Sequence, residues 1–268
     1  MKQKTVIFLV LCAVFVGAIA YCPASLLRGT VNEQLIGIAR VENMEGTIWH
    51  GDALLVFDNK QLRQTPLTWR FAPSLLTSGV FAYAVELNKN SQQTNEIYGA
   101  LTVGRGLSDL HVRNARLYAP AASVLPMVSP GLGFGAFSGQ LGFTTDNMKI
   151  TPSPTLAGAK ISGRASLNWR SANSLFLLGS AANDYLLEFD GKGAESTFLL
   201  KTLNGPMSAN GQGTRVLEKA LPYNAIKFNG TAKLPQALLS RLGNASAWLS
   251  QLGRMEGDQL VINWNGRL

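Results

Sequence analysis

From Gly46 to the C-terminus apolar and polar residues take turns along the chain, and this period of two limits the possible folds of the 268 residues most severely. Ile161, Gly163, Ala165, Leu167 and Trp169 fall on one side of an extended run; Ser162, Arg164, Ser166, Asn168 and Arg170 fall on the other. Val80 to Leu87 and Ile226 to Leu234 repeat the pattern, as does Leu260 to Trp264 near the end. A β-strand sends successive side chains to opposite faces, so the period predicts strands with one dry and one wet face. That is the signature of antiparallel pairing, because parallel strands covered on both sides are apolar throughout. Turn residues interrupt the runs at Asp58-Asn59, Asp146-Asn147 and Asn204-Gly205-Pro206. The expected fold is mainly β: extended, twisted antiparallel sheet, half-pipe or sandwich-like, with one or two short helices.

Helix signals are sparse. Leu27, Val31 and Leu35 recur every four residues and predict a short helix. Pro120 to Met127 reads as a helical turn. Pro235 to Leu252 carries Leu238, Leu242, Ala245 and Leu249 at helical spacing, with Pro235 at its start and Gly253 behind it. The Gly- and Pro-bearing stretch 128–137 reads as a junction. Strand-like runs ending in Trp69, Trp169 and Trp264 resemble one another, so the β-rich region 46–268 is expected to hold two similar halves meeting near 128–137. The four residues Trp49, Trp69, Trp169 and Trp264 either fill a core or line an apolar trough.

The N-terminus carries a different signal. Lys2 and Lys4 are followed by an uncharged stretch from Thr5 to Leu27, and a bilayer core needs about 20 residues of helix. We read residues 1–4 as a cytoplasmic tail, 5–24 as a transmembrane helix that includes Val6 and ends near Tyr21, and 25–45 as a juxtamembrane segment. Lysines on the near side and an interfacial tyrosine on the far side orient the remainder toward the periplasm. Ala18-Ile19-Ala20 also has the small-x-small form of a leader cleavage site, so both an anchor and cleavage after Ala20 stand as readings of this stretch. The two cysteines, Cys12 and Cys22, lie in or beside it, which leaves the β-rich region without a disulfide.

Candidate chemistry is scarce. The two histidines, His50 and His111, have no partners at metal-ligand spacing, and no Gly-x-Ser-x-Gly elbow occurs. Asp184, Glu188 and Asp190 form the nearest acidic cluster, with Glu188 and Asp190 on one strand face. Gly131-Leu-Gly-Phe-Gly135 lacks the Lys-Ser/Thr of a nucleotide cradle. No catalytic, cofactor or metal residue is expected, and no enzyme activity. The net charge of +8 is spread singly over Arg63, Arg70, Arg105, Arg113 and others, without a basic run. This suits anionic lipid or acidic partners better than nucleic acid.

Several segments carry a family resemblance. Glu45-Gly-Thr-Ile-Trp49-His-Gly51-Asp-Ala, then Leu67-Thr-Trp69-Arg-Phe-Ala-Pro73, and later Leu203-Asn-Gly205-Pro206 resemble type II secretion system protein N, the general secretion pathway protein N. The resemblance marks Gly46, Thr47, Trp49, Gly51, Trp69 and Pro73 as a structural motif. It implies an accessory inner-membrane component of a Gram-negative secretion machine, single-pass, with its main domain in the periplasm. Its partners would be inner-membrane platform and secretin components, and its task the export of folded periplasmic proteins by protein–protein contacts. An alternative is an envelope lipid-binding or lipid-transfer protein with an apolar β trough.

Overall fold

The computed structural model describes residues 17–58, 62, 64–89, 95–128, 136–153, 158–173, 182–217, 224–235 and 253–267. Most of the expected span 5–24, the junction around 129–135 and the expected helix up to Leu252 therefore lie outside the described residues. Among the described residues no helix is long and apolar enough to cross a membrane.

The described strands form one open antiparallel sheet of fourteen strands in which neighbours in sequence are neighbours in space, except at the end. The first five are β1 (Ala39–Gly46), β2 (His50–Phe57), β3 (Thr65–Phe71), β4 (Phe81–Leu87) and β5 (Tyr98–Arg105). Longer strands follow: β6 (Leu110–Pro120), β7 (Ser138–Thr151), β8 (Lys160–Asn173), β9 (Asn183–Gly193), β10 (Glu195–Asn204), β11 (Ser208–Leu217) and β12 (Asn224–Lys233). β14 (Gln259–Arg267) then pairs with β12, and the short β13 (Arg254–Glu256) folds back on its outer side. Helices are incidental: α1 (Arg28–Gln34) lies against β1, and α2 (Ala121–Val128) packs on β6 and β7.

The register carries the alternation across the whole sheet. One row runs Leu67, Leu87, Gly99, Leu117, Phe143, Leu167, Leu187 and Leu200. All lie on one face, because directly opposed residues in an antiparallel pair share a side. The neighbouring row on the other face runs Asp52, Thr68, Glu86, Ala100, Arg116, Thr144, Ser166 and Glu188. The expected wet and dry faces are both present, and Ile161 to Trp169 lies in β8 with the predicted polarity.

Two details differ from the sequence reading. Asp146-Asn147, expected as a turn, lies inside β7, where the register against β8 shifts between Thr144 and Asn147. A bulge leaves residues unpaired and bends the strand, so it accepts the same polar residues as a turn. The first strand also begins at Ala39, within the stretch assigned to the juxtamembrane segment, because Asn43 and Glu45 blur its alternation.

Little of the molecule is fully buried. Val41 is 1% exposed, but most of the other buried apolar residues are alanines. Among the described residues a compact cluster joins Ala232, Leu234 and Leu260, with Met207, Ala209, Met255 and Ile262 against it. A sheet of one layer must hold its shape through its ladder and the contacts of neighbouring side chains on each face, since no second layer among the described residues encloses a core.

Candidate functional site

The turn between β1 and β2 binds the N-terminal segment to the sheet. Gly46 sits at φ 89°, a left-handed conformation that costs a residue with a Cβ about 1–2 kcal/mol. Gly51 lies against the Glu45 carbonyl and the Trp69 ring, leaving no room for a side chain. Between them the Thr47 N–H donates to the His50 carbonyl at 2.9 Å, and Thr47 Oγ1 accepts from the Trp49 N–H at 3.3 Å. Trp69 Nε1 donates to the Thr47 carbonyl at 3.2 Å. The segment from the N-terminus is received on this turn: Trp49 Nε1 donates to the Ile19 carbonyl at 2.8 Å, and the Ile48 N–H to the Cys22 carbonyl at 2.9 Å. Pro23 forms a bridge with Thr47.

Five of the six motif residues singled out in the sequence thus lie together. Pro73 opens a 3₁₀ turn one strand away, where its missing N–H costs nothing. Val6 lies outside the described residues, and Tyr21 stands exposed beside the turn. Trp49 belongs to the turn and not to β2 as the alternation suggested. Its ring meets Phe71 edge-on at a centroid distance of 5.1 Å, and Phe71, Phe81 and Tyr83 continue the aromatic line along β3 and β4. Burial raises the Tyr83 hydroxyl above its ordinary pKa.

Asn32 on α1 was not foreseen. Its side-chain amide accepts from the Val41 N–H at 2.6 Å and donates to the Val41 carbonyl at 3.3 Å. It therefore stands in for a neighbouring strand on the outer side of β1. Only a helix running beside an edge brings the two together, and nothing in the sequence near Asn32 announces that.

The apolar face stays open across the later strands. Trp69 and Trp169 are half-buried, and Trp264 is 45% exposed, so none of them is the centre of a closed core. Phe198 and Phe228 both oppose Gly213 and stack across it at 6.0 Å. Toward one end of these strands the turn at 205–207 is held from beneath: Asn183 Oδ1 accepts from the Met207 N–H at 2.9 Å, and the Tyr185 hydroxyl donates to the Met207 carbonyl at 3.3 Å. Burial pushes the Tyr185 pKa up to about 12. Arg215 is a charged residue on this face; its guanidinium turns to the rim and donates to the Ala159 carbonyl at 2.6 Å.

The polar face is charge-paired. The acidic residues weighed as a catalytic pair each face a cation: Glu188 meets Lys201 at 2.7 Å, and Asp190 lies 4.0 Å from Arg164. Asp184, the third member, accepts from the Ser171 N–H at 2.7 Å instead. Arg164, Ser166, Glu188, Asp190, Thr214 and Lys227 line an open depression of about 830 Å³ on this face. At the turn between β5 and β6 Asp109 accepts from Lys149 at 2.7 Å and from Thr151 at 2.6 Å. Those two hydrogen bonds, Lys149 first, hold its pKa below the usual carboxylate range. His50 is exposed at the start of β2, and His111 sits on the polar face opposite Lys149. Among the described residues no three His, Cys, Asp or Glu side chains come together.

Such a molecule belongs to a recognisable class, a one-layer sheet whose chemistry lies in its two faces and its edges and not in a cleft. Residues 39–262 match the family model of type II secretion system protein N, and the chain belongs to that family. The match starts at the first residue of β1 and reaches into β14, so it takes in the turn of Gly46 to Gly51 and nearly the whole sheet. The family is an accessory part of secretion machinery, and membership ties the chain to type II secretion and to the cell envelope. Comparison with curated proteins and with solved structures gave no match.

Proposed function

We propose that the chain is an inner-membrane accessory of the type II secretion machine that helps export folded periplasmic proteins across the outer membrane through protein–protein contacts. In this reading residues 5–24 span the membrane, 25–45 lead to the sheet, and the β-rich region, in two similar halves meeting near 128–137, stands in the periplasm. The family match over residues 39–262 carries the proposal. Two features support it. The Trp49 bond to the Ile19 carbonyl fixes the direction in which the sheet leaves its N-terminal segment. The polar face offers ordered, alternating charge to partner proteins, and its exposed ion pairs exchange readily for intermolecular ones, since such pairs are worth only about 0–1 kcal/mol each. Platform and secretin components are the partners this reading names. The test is photocrosslinking in intact cells from Arg164 and Lys227 on the polar face. Capture of platform or secretin proteins is expected, together with loss of secreted-protein release on deletion. Unimpaired release and no captured machine component would refute the reading.

The open apolar face favours a second reading, in which the row from Leu117 to Leu200 takes acyl chains of envelope lipid. A photoreactive residue at Leu187 separates the two. Recovery of lipid from that position supports the second, and recovery of protein alone supports the first.

A further inference from the structure

The connections at the two ends of strands β1 to β6 differ in chemistry. Antiparallel neighbours place every second connection at the same end of a sheet. At one end are the links from β2 to β3 and from β4 to β5. Their sequences, Asp58 to Gln64 and Asn88 to Ile97, carry Asp58, Lys60, Arg63, Lys89 and Glu96, as connections in water ordinarily do. Leu62, the one large apolar residue of the first link, is buried. At the other end are the turns from β1 to β2, from β3 to β4 and from β5 to β6. Thr47 to Trp49 and Ala72 to Val80 contain no charge. Gly106 to Asp109 contains Asp109 alone, and Lys149 engages it at 2.7 Å.

This uncharged end exposes large apolar side chains. Leu107, in the third turn, is wholly exposed, and Leu76, in the second, is 49% exposed. Phe81 and Leu110, at the near ends of β4 and β6, are exposed and flank Arg105 in the register of the apolar face, so that face continues down to the turns. A turn in water gains nothing from such residues; apolar side chains exposed together mark a contact surface. The N-terminal segment arrives at the same end. The Cys22 carbonyl bonded to the Ile48 N–H, and the bridge of Pro23 with Thr47, set Tyr21 and Leu26 beside the first turn. Tyr21 is 81% exposed and Leu26 70%. The uncharged stretch that begins at Thr5 leads directly into them. Arg28, Arg70 and Arg105 stand exposed around this end, against the exposed acids Glu45 and Asp52.

We propose that this end of β1 to β6 is a second membrane contact, at which Tyr21, Leu26, Leu76 and Leu107 enter the headgroup region of the bilayer that receives residues 5–24. The proposal rests on the reading of that segment as a span. The place where the chain meets the sheet selects lipid as the occupant. Trp49 Nε1 holds the Ile19 carbonyl at 2.8 Å, so a chain leaving the bilayer near Tyr21 brings the first turn down to the membrane surface. The other two turns follow along the same end, the third roughly 20 Å from the tether at a strand spacing of ~4.8 Å. Apolar side chains at that level bury their surface at the acyl boundary, and Tyr21 and Trp49 are ring types that favour the interface. The arginine stems can lie along the apolar layer while their guanidinium groups stay among lipid phosphates. A single helix would leave the sheet free to swing about its tether. A row of turns on the surface fixes its tilt and points the charged connections of β1 to β6 away from the bilayer.

The experiment uses the full chain, with Cys12→Ser and Cys22→Ser as background, in vesicles of phosphatidylethanolamine and phosphatidylglycerol. An environment-sensitive fluorophore is attached in turn to Ala18→Cys, Leu76→Cys, Leu107→Cys and Lys89→Cys, and quenching by nitroxide-bearing lipid is measured. The labels at positions 18, 76 and 107 should be quenched, and the one at 89, at the opposite end, should not. Leu26→Asp with Leu76→Asp should lower the quenching at position 107 by about twofold or more. Both leucines are exposed, so the thermal transition should stay in place. Labels at 76 and 107 in water with the one at 18 shielded would overturn the proposal in favour of a protein partner, and leave the span standing. A label at 18 in water as well would overturn both. Equal quenching at 89 would also overturn the proposal, since the sheet would then lie flat on the membrane.

Discussion

The two ends of the sheet solve the same problem by different means. A single layer has no enclosed interior to hold its outer strands. At the β1 end they are fastened by backbone geometry and polar contacts: Gly46, Gly51, the Thr47 turn and the Asn32 amide. At the β14 end the strands are fastened by packing, with Leu260, Leu234 and Ala232 forming a compact apolar cluster. The comparison teaches that this fold puts its fixed points at its extremities, and that the strands between them need only their ladder and side-by-side contacts. Both ends are also covered from outside: the Asn32 amide takes the groups of Val41, and the short β13 takes the outward groups of Gln259 to Val261.

The largest effect is expected where packing dominates. Leu260→Ala empties the centre of the cluster and should cost about 2–5 kcal/mol, read as a lower denaturant midpoint with early loss of protection in β12 to β14 by hydrogen exchange. If protection were lost evenly along the sheet, the two ends would not be separately fastened. Gly51→Ala comes next. It drives a methyl into the Trp69 ring and the Glu45 carbonyl and should cost about 1–3 kcal/mol, with exchange rising in β1 to β3. Asn32→Ala leaves the Val41 groups without their partner and should cost about 1–3 kcal/mol. It should also make the β1 edge competent to pair, so self-association beyond that of the unaltered chain is the specific sign. An Asn32→Ala protein with unchanged self-association would show that the helix, not the amide, seals the edge.

The smallest effect lies between the ends and serves as the reference. Asp109 is held below its ordinary pKa by Lys149 and Thr151. A depressed carboxylate contributes stability that is present above its unfolded pKa and lost as pH falls through its folded one. Asp109→Asn should therefore flatten the acid side of the stability profile below the usual carboxylate range. It should change little at neutral pH, because Lys149 is exposed and the pair is screened at the surface. A loss at pH 7 as large as that of Asn32→Ala would mean that the middle of the sheet also depends on a local fastening.

Much of the architecture was legible in the sequence, because a period of two is a direct image of a pleated strand. β8 shows it best: five apolar residues from Ile161 to Trp169 share one face. β6 was invisible for the opposite reason. Arg113 and Arg116 both face the polar side although they are three apart, since a bulge with Asn114 at φ 49° inserts a residue between them. The same insertion disguised Asp146-Asn147 as a turn. The motif Gly46, Thr47, Trp49 and Gly51 was legible as a group through the family resemblance, and its glycines as places of close backbone approach. Its task of receiving Ile19 and Cys22 was not, as those partners are carbonyls of the preceding segment and any residue supplies a carbonyl. Asn32 and the Asp109, Lys149 and Thr151 set escaped for a related reason. Lys149 and Thr151 are remote from Asp109 in sequence and strand register brings them to it, while Asn32 meets Val41 only because α1 runs beside β1.

The central claim is that the chain is an open layer with two accessible faces, one apolar and one polar. Spin labels placed singly from Ile161 to Arg170 along β8, in the full chain in a lipid bilayer, test it most directly through collisions with oxygen and with a water-soluble nickel reagent. The account predicts a period of two: oxygen reaches Ala165 and Leu167 freely, and nickel reaches Arg164 and Ser166. Labels at Ala165 and Leu167 closed to both reagents, as in a sealed core, would contradict it.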